Sequence, residues 1–328
     1  MKKVFVTGAT GLLGTNVVIK LLKYGYSVIA LVRKESSYLG EKNENLKLIE
    51  GDLSADVSPC LEGVDYIIHI AAETRQNLLT YDEYRKVNYD ITLNLLVHAK
   101  AKEIKKFLFV SSANTMGFGS EDEPGNEKAA QKYPFTKSLY AQSKLEAENF
   151  LLQNRKNIDI VILNPAFMIG AYDSKPSSGK IIFWAWKKKL IFYPNGGKNF
   201  VHAGDAAEGI IRAIEKGKDG EKYLLANENL SYRDFFRKVN KITGQHPVMI
   251  PIPDTVLSVL GRIGDVLRKL NVKTNVSTPN MKALRIRNYY SNQKSMEELG
   301  LHYRPVDQAI EEAIEYFKNK GKRKKVFD

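Results

Sequence analysis

The stretch TGATGLLG, residues 7–14, decides the fold. It follows the apolar run KKVFVT at 2–7 and precedes apolar residues with helical spacing, so it predicts a turn from a buried strand into a helix. Gly8 permits a tight turn, Gly11 lets the backbone approach a ligand, and Gly14 allows close packing of the helix on the strand. Because the first turn of a helix binds phosphate through free N–H groups and its positive dipole end, the loop predicts a dinucleotide site.

Strands and helices alternate along the first half of the chain. Further strand patterns lie at 27–32, 46–52, 66–72, 105–112 and 158–165, and helical patterns lie at 81–101 and 137–154. Repeated strand–helix–strand units predict a parallel sheet with helices on both faces, and right-handed crossovers make that sheet doubly wound. We therefore predict an α/β protein with an NAD(P)-binding Rossmann fold and a smaller, mainly helical C-terminal substrate domain.

The alternation ends at Pro165, and this change predicts the domain boundaries. Residues 1–165 are predicted to form the dinucleotide-binding domain, with 199–227 returning to it and YLLAN at 223–227 adding a seventh strand. Residues 166–198 and 228–318 are predicted to form the substrate-binding domain, with helices at 231–243, 254–270 and 305–318. Residues 319–328 form a basic tail.

The composition is that of an ordinary globular protein with a basic balance. The 328 residues include 43% hydrophobic residues and carry a formal net charge of +13. Cys60 is the single cysteine, so an intramolecular disulfide is impossible, and the apolar run at 181–186 is too short to cross a bilayer. These features predict a cytoplasmic protein without stable membrane insertion. The tail is interpreted as solvated, with an acidic partner such as nucleic acid or anionic lipid as the alternative, and no nucleic acid partner is predicted for the folded part.

The end of the second strand bears on the choice of cofactor. NAD binders usually place an acidic residue there, whereas this strand ends in Val32-Arg33-Lys34. A guanidinium binds a 2′-phosphate bidentately, so Arg33 favours NADP over NAD, unless it stacks on the adenine or points to solvent. After the third strand, Asp52 could accept from the adenine amino group and Leu53 could pack on the ring; the alternative for Asp52 is a helix cap.

Tyrosine and lysine stand four residues apart five times. The pairs are Tyr38 with Lys42, Tyr133 with Lys137, Tyr140 with Lys144, Tyr290 with Lys294, and Tyr316 with Lys320. Only Tyr140 and Lys144 lie on a predicted helix that follows a sheet strand, and that strand ends in Ser111-Ser112 at the carboxyl edge where ligands bind. This context predicts that Tyr140 and Lys144 are the catalytic pair.

The chemistry of the pair suits acid–base catalysis. A free phenol has a pKa near 10 and is a poor catalyst at neutral pH. A lysine ammonium roughly 4 Å away favours the phenolate by about 4 kcal/mol at an effective dielectric constant of about 20, or up to about 3 pKa units. Ser112 could hydrogen-bond the reacting oxygen. We therefore expect Lys144 to lower the pKa of Tyr140.

Several motifs together resemble the extended short-chain dehydrogenases/reductases. They are TGATGLLG, GDL at 51–53, AA at 71–72, SSA at 111–113, YAQSK at 140–144 and NPAFMIG at 164–170. From residue 2 to about 250 the chain is most similar to the NAD-dependent epimerase/dehydratase family and its dihydroflavonol-4-reductase-like group.

The resemblance implies a catalytic set and a cofactor site. The implied catalytic residues are Ser112, Tyr140 and Lys144, with Lys144 also bonding the nicotinamide ribose. The implied cofactor residues are Gly8, Thr10, Gly11, Leu12 and Leu13 at the pyrophosphate, Ala71 and Ala72 at the adenosine side, and Pro165 and Phe167 at the nicotinamide. Thr115 is a neighbouring hydroxyl candidate, and Asn88 is expected to have a structural role.

The predicted function is therefore an NADP-dependent oxidoreductase that reduces a carbonyl, or oxidises the alcohol, of a small organic substrate. The first alternative is a nucleotide-sugar epimerase or dehydratase with tightly bound NAD, and the second is a non-enzymatic dinucleotide sensor. The five histidines are scattered, so we predict no metal. A homodimer is possible, as is common in the superfamily. Phe183, Trp184 and Trp186 could line a substrate mouth, form a partner surface or pack in a core.

Overall fold

The structure is a computed structural model that describes the backbone of residues 1–327 and the side chains of residues 1–319. The predicted basic tail at 319–328 lies almost wholly outside the side chains described.

Seven parallel strands form the main sheet. In chain order, the strands of the protein are β1 Lys3–Thr7, β2 Ser27–Val32, β3 Leu46–Glu50, β4 Tyr66–His69, β5 Lys106–Val110, β6 Asp159–Pro165, β7 Phe167–Ile169, β8 Leu190–Tyr193, β9 Gly197–His202, β10 Lys222–Leu225, β11 Glu228–Ser231, β12 Val248–Pro251 and β13 Arg287–Asn288. The main sheet has the order β10-β6-β5-β4-β1-β2-β3. Strand order reverses between β1 and β4, which makes their carboxyl ends the point where doubly wound sheets bind ligands. The predicted doubly wound sheet and its seventh strand are confirmed.

Helices cover both faces of this sheet. They are α1 Leu12–Lys23, α2 Tyr81–Arg85, α3 Ile91–Ala101, α4 Leu139–Gln153, α5 Lys180–Phe183, α6 Ala203–Lys216, α7 Tyr232–Thr243, α8 Asp254–Lys269, α9 Thr278–Ala283, α10 Gln293–Leu299 and α11 Val306–Phe327. Helices α1 and α6 pack on one face of the sheet. Helices α3 and α4 pack on the other face, against Phe107 and Phe109 of β5. Because both faces are covered, the inner strands β4, β5 and β6 are buried along almost their whole length rather than alternating.

A second core lies beyond the main sheet. Strand β9 pairs with β7, β11 and β13, while β8 pairs with β12. Phe200 of β9 stacks on Phe235 of α7 with ring centroids 4.3 Å apart, and α11 closes the same core. The helices predicted at 231–243 and 254–270 are present as α7 and α8, and the one predicted at 305–318 is the beginning of the longer α11.

Candidate active site

The glycine loop lies at the carboxyl end of β1, beside the segment that follows β4. Gly8 has a φ of +74°, and a Cβ there would lie 2.7 Å from the backbone N of Ala71. A Cβ on Gly14 would lie 2.0 Å from the carbonyl oxygen of Gly8, so α1 packs directly on the loop. A Cβ on Gly11 would meet only the Gly8 carbonyl oxygen, at 3.6 Å, so this side of the loop stays open. The three glycines therefore form a cradle into which a ligand can approach the backbone.

The first turn of α1 faces this cradle. Its N-cap is Gly11, which offers no side-chain hydrogen bond, and the turn contains no acidic residue. The N–H groups of Leu12 and Leu13 lie in that turn, where the helix dipole favours an anion. The loop and the helix start thus fit a pyrophosphate, as a bound dinucleotide would place there.

A buried histidine fixes the other wall of the cradle. Thr92 Oγ1 donates to the carbonyl oxygen of Asn88 at 2.8 Å, so the His69 Nε2–H donates to Thr92 at 3.0 Å and Nδ1 accepts from Thr7 at 2.7 Å. Thr7 Oγ1 in turn accepts from the N–H groups of Ile70 and Ala71. Burial lowers the pKa of His69 to about 3, and the Lys144 charge adds to this. A neutral His69 therefore holds the segment carrying Ala71 and Ala72 against Gly8.

The residues predicted to hold the adenosine end lie at the ends of β2 and β3. Arg33 is exposed, and no ion pair or side-chain hydrogen bond joins it to another described residue. Asp52 is also exposed, and its carboxylate accepts from the N–H and hydroxyl of Ser54 at 2.8 and 2.7 Å. These bonds lower the pKa of Asp52, with Arg33 contributing less. Asp52 thus organises a turn, which resembles the capping alternative, while Leu53 packs on the core beneath it.

The structure brings Ser112 and Tyr140 together. Ser112 follows β5, and its hydroxyl accepts from the N–H of Asn114 at 3.2 Å and lies near enough to the Tyr140 phenol to lower the pKa of Tyr140. Tyr140 lies in the first turn of α4, whose N-terminus is capped by the Ser138 hydroxyl. Both hydroxyls therefore lie at the carboxyl edge of the main sheet, near the end of β5, which is the strand beside β4.

Lys144 lies one turn further along α4 and is 1% exposed. Its Nζ donates to the carbonyl oxygen of Val110 at 2.7 Å and lies 4.2 Å from the ring centroid of Phe109. Burial lowers the pKa of Lys144 to about 7, although the Glu148 charge acts in the opposite direction. The amine can therefore gain or lose a proton near neutral pH.

The prediction that Lys144 lowers the pKa of Tyr140 is wrong when only the groups of the protein itself are considered. Burial raises the pKa of Tyr140, the hydrogen bond from Ser112 offsets this in part, and the charge of Glu148 raises it further. The Lys144 amine is held by the Val110 carbonyl, and with a pKa of about 7 it is only partly protonated at neutral pH. It is therefore a weaker source of positive charge than the sequence suggested.

We expect Lys144→Met to raise the free energy of unfolding at pH 7. The folded pKa of Lys144 is about 7 against an ordinary value of 10.5, so between these pH values the unfolded chain binds a proton that the folded chain does not. Wild-type stability therefore rises with pH across this window, at up to about 1.4 kcal/mol per pH unit. Urea unfolding from pH 7 to 10.5 should show the advantage of the variant shrinking as pH rises; a constant difference would contradict the assigned pKa.

A buried carboxylate, which the sequence reading missed, joins the parts of this site. Glu148 of α4 is fully buried. Its Oε1 lies 2.7 Å from Thr115 Oγ1 and accepts from Asn164 Nδ2 at 2.7 Å, and its Oε2 lies 2.5 Å from Lys222 Nζ on β10. Asn164 also donates to the carbonyl oxygen of Ser112. Glu148 thus fixes the helix carrying Tyr140 relative to the turn carrying Ser112.

Two other candidates have structural contacts. The Thr115 hydroxyl is buried against Glu148, so Ser112 rather than Thr115 pairs with Tyr140. Asn88 lies in a π-helical turn between α2 and α3, where its amide bonds both backbone groups of Glu73 and donates to Ser143 Oγ at 2.9 Å. Asn88 therefore holds the loop after β4 to helix α4.

The residues predicted near the nicotinamide border the second core. Pro165 ends β6 and is buried, while Phe167 begins β7 and packs edge-on against Phe200. Lys198, which the sequence reading missed, places its Nζ 5.0 Å from the Phe167 ring centroid. Burial lowers the pKa of Lys198 to about 8, and no carboxylate among the described residues pairs with it. A group of three or more His, Cys, Asp or Glu side chains that could hold a metal is absent from the described residues.

Comparison with known proteins agrees with this geometry. Residues 4–226 match the NAD dependent epimerase/dehydratase family. The chain belongs to this family. It is 30% identical to a putative dihydroflavonol 4-reductase from Synechocystis over 97% of this chain and 95% of that protein. It is 26% identical to sterol demethylase protein B from Methylococcus capsulatus over 96% of this chain and 98% of that protein.

A solved structure shares the fold of this epimerase/dehydratase family member. UDP-glucuronic acid 4-epimerase from Bacillus cereus, solved as a variant with UDP-4-deoxy-4-fluoro-glucuronic acid and NAD, is 21% identical and superposes with a TM-score of 0.77 over 97% of this chain and 99% of that chain. The protein is thus an extended short-chain dehydrogenase/reductase and an NAD(P)-dependent enzyme. Each helix in the described part of the chain is too short or too polar to span a membrane.

Proposed function

We propose that this enzyme is an NADP-dependent oxidoreductase that reduces a carbonyl, or oxidises the corresponding alcohol, of a small organic substrate. The observation that carries the proposal is that Ser112 and Tyr140 lie together at the carboxyl edge of the sheet, with Lys144 one turn further along α4. The glycine cradle lies at the same edge, at the switch point between β1 and β4.

Each side chain of the set Ser112, Tyr140 and Lys144 has its own role in proton transfer. A bound nicotinamide dinucleotide supplies or accepts the hydride. In the reductive direction Tyr140 donates a proton to the oxygen that becomes the alcohol, and its high pKa means that the phenol is protonated and ready to donate. Ser112 bonds the phenol and can bond the same substrate oxygen, which fixes the carbonyl beside Tyr140. Lys144, with a pKa of about 7, can bind the ribose and return a proton towards Tyr140.

Substrate binding is assigned to residues 166–198 and 228–318, with the Rossmann domain at 1–165 and 199–227 holding the cofactor. The loops at 73–80 and 113–119 face the same edge of the sheet and complete the proposed pocket. Lys198 and Phe167 belong to this region. The name of the sterol demethylase relative and the apolar lining supplied by Phe167 make a lipophilic carbonyl compound a suitable class for the first screen.

The preference for NADP rests on Arg33. An exposed guanidinium at the end of β2, with no ion pair to any side chain of residues 1–319, can bind a 2′-phosphate. We expect Arg33→Glu to raise the Kd for NADPH by about 30-fold, because it exchanges an attractive charge for a repulsive one, and to leave the Kd for NADH within about twofold. Titration calorimetry with both nucleotides measures the change. Lys156→Glu, the same charge reversal at an exposed position beside the amino end of β6, is the control. Equal losses for both nucleotides would contradict a role at the 2′-phosphate.

The alternative, an epimerase or dehydratase with tightly held NAD, has the support of the family match and of the Bacillus cereus enzyme, which was solved with NAD and a UDP-sugar analogue. The third candidate from the sequence, a non-enzymatic dinucleotide sensor, is not retained, because the chain belongs to an enzyme family and contains Ser112, Tyr140 and Lys144. Mass spectrometry of nucleotide that copurifies with the protein separates the first two. The proposed reductase should release its nucleotide on dialysis, whereas an epimerase should retain it through purification.

A further inference from the structure

Helix α8 packs on the protein through its small side chains. Leu257, Gly261 and Gly264 are its buried residues. A Cβ on Gly261 would lie 3.0 Å from Thr278 Cα, and one on Gly264 would lie 2.2 Å from the carbonyl oxygen of Val276. The glycines therefore let α8 approach the segment at 276–281 closely, with little apolar side chain between them.

The large apolar residues of α8 face outward instead. Exposed side chains at helical spacing are Val256, Val259, Leu260, Ile263, Val266 and Leu267, followed by Leu270, with exposed fractions between 37% and 69%. A surface helix normally buries its apolar stripe and exposes its polar one. The inverted arrangement of α8 leaves a contiguous apolar face of the kind that marks an interaction site.

The β8–β12 pair, which precedes α8 in the chain, carries further exposed apolar side chains. Leu190 pairs with Val248 and Phe192 with Ile250, and all four side chains are exposed. Because paired residues lie on the same side of a sheet, the four form one outer apolar patch. Helix α8 starts at Asp254, directly after Ile252 and Pro253, so the patch and the helix follow one another in the chain. We call the outward residues of α8, β8 and β12 the apolar face.

The charges on and beside the apolar face are cationic. Arg262 and Lys269 are the exposed charged residues of α8. Its two acids are already bonded within the chain: the partly exposed Asp254 carboxylate pairs with Arg285 at 2.9 Å, and the half-buried Asp265 accepts from the N–H of Thr278 at 2.9 Å. Three exposed lysines at 187–189 immediately precede β8. An apolar stripe whose unpaired charges are cations is complementary to an anionic lipid surface.

We propose that the apolar face docks this enzyme on anionic membranes, with α8 lying in the interface plane. A second copy of the chain fits less well, because a two-fold contact across α8 would bring the cations Arg262 and Lys269 of both copies together, while the carboxylates of α8 are already bonded within each copy. Arg268 of α8 donates to the carbonyl oxygen of Leu78 at 2.5 Å, which ties the helix to the loop at 73–80. Docking would therefore hold a wall of the proposed substrate pocket close to the lipid. The inference does not depend on the proposed reaction.

Vesicle flotation tests the proposal with the full chain. Wild type should float with vesicles of phosphatidylcholine and phosphatidylglycerol at 7:3, at about 0.15 M salt, and should bind pure phosphatidylcholine more weakly. Ile263→Gln combined with Val266→Gln should weaken binding at least about tenfold, because it removes two apolar side chains from the lipid contact. Val97→Gln, an exposed valine on α3, should bind as wild type. All three proteins keep the basic tail, so the tail contributes equally.

A second set of variants tests the role of the cations on α8. It compares the double variant Arg262→Glu with Lys269→Glu against the control Lys156→Glu. Only the pair on α8 should abolish the preference for anionic vesicles. Circular dichroism should show the same fold for all variants, since every changed side chain is exposed. Binding by the Ile263/Val266 variant that equals wild type, or no binding by wild type, would overturn the proposal. The proposal would also be overturned if wild type were a dimer, the Ile263/Val266 variant were a monomer, and neither protein floated with vesicles. The apolar face would then bind a second copy of the chain.

Discussion

Tyr140→Phe is expected to lower kcat by about 10³-fold, because it removes the phenol proton that the proposed mechanism donates to the substrate oxygen. The variant keeps the ring, so α4 and the cradle should be unchanged and the Kd for NADPH should stay within about twofold. Stopped-flow oxidation of NADPH with a competent carbonyl substrate measures kcat, and fluorescence titration measures the nucleotide affinity.

The matched control is Tyr133→Phe. Tyr133 is exposed and precedes Pro134, outside α4, so losing its hydroxyl should not alter kcat. Turnover of Tyr140→Phe within a few-fold of wild type would show that another group protonates the substrate. A comparable loss in both variants would point to a general effect on this segment rather than to the chemistry of Tyr140.

Lys222→Met is expected to lower the free energy of unfolding by about 3–5 kcal/mol, because it leaves the fully buried Glu148 carboxylate without its cation. The double variant Glu148→Gln with Lys222→Met should recover much of the loss, since an amide can still meet Thr115 and Asn164 without carrying a charge. Urea unfolding at pH 7 measures all three proteins.

The matched control is Lys105→Met, which breaks the exposed ion pair with Asp65. Because solvent screens that pair, its loss should lower the free energy of unfolding far less than Lys222→Met does. Similar losses in Lys222→Met and Lys105→Met would contradict the role given to Glu148.

The sequence was sufficient for features that depend on local pattern. The glycine loop and the parallel strands follow from the order of strands and helices. The selection of Tyr140 with Lys144 from five similar pairs uses the same order and stays a prediction. The seventh strand was also predicted, because YLLAN has the composition of a buried strand.

Features that need tertiary neighbours were missed. Glu148 lies on the same helical face as Lys144, which hinted at burial, but its partner Lys222 is on a strand that returns to the sheet more than 70 residues later. The direction of the Tyr140 pKa depends on how deeply the phenol is buried and on the Glu148 charge, neither of which spacing reveals. For α8, helical periodicity predicts an apolar stripe but not whether that stripe faces the protein or the solvent. Gly261 and Gly264, three residues apart, were the feature of the sequence that indicated the buried side.

The most direct measurement is the stoichiometry of turnover with carbonyl substrates and NADPH deuterated at C4 of the dihydronicotinamide. We predict that each molecule of alcohol formed consumes one NADPH and carries one deuterium. In the same interval, Tyr140→Phe should form no detectable alcohol and oxidise no detectable NADPH. Conversion of a substrate with no net loss of NADPH, by protein that retains its own NAD, would contradict the proposed reductase and favour the epimerase or dehydratase.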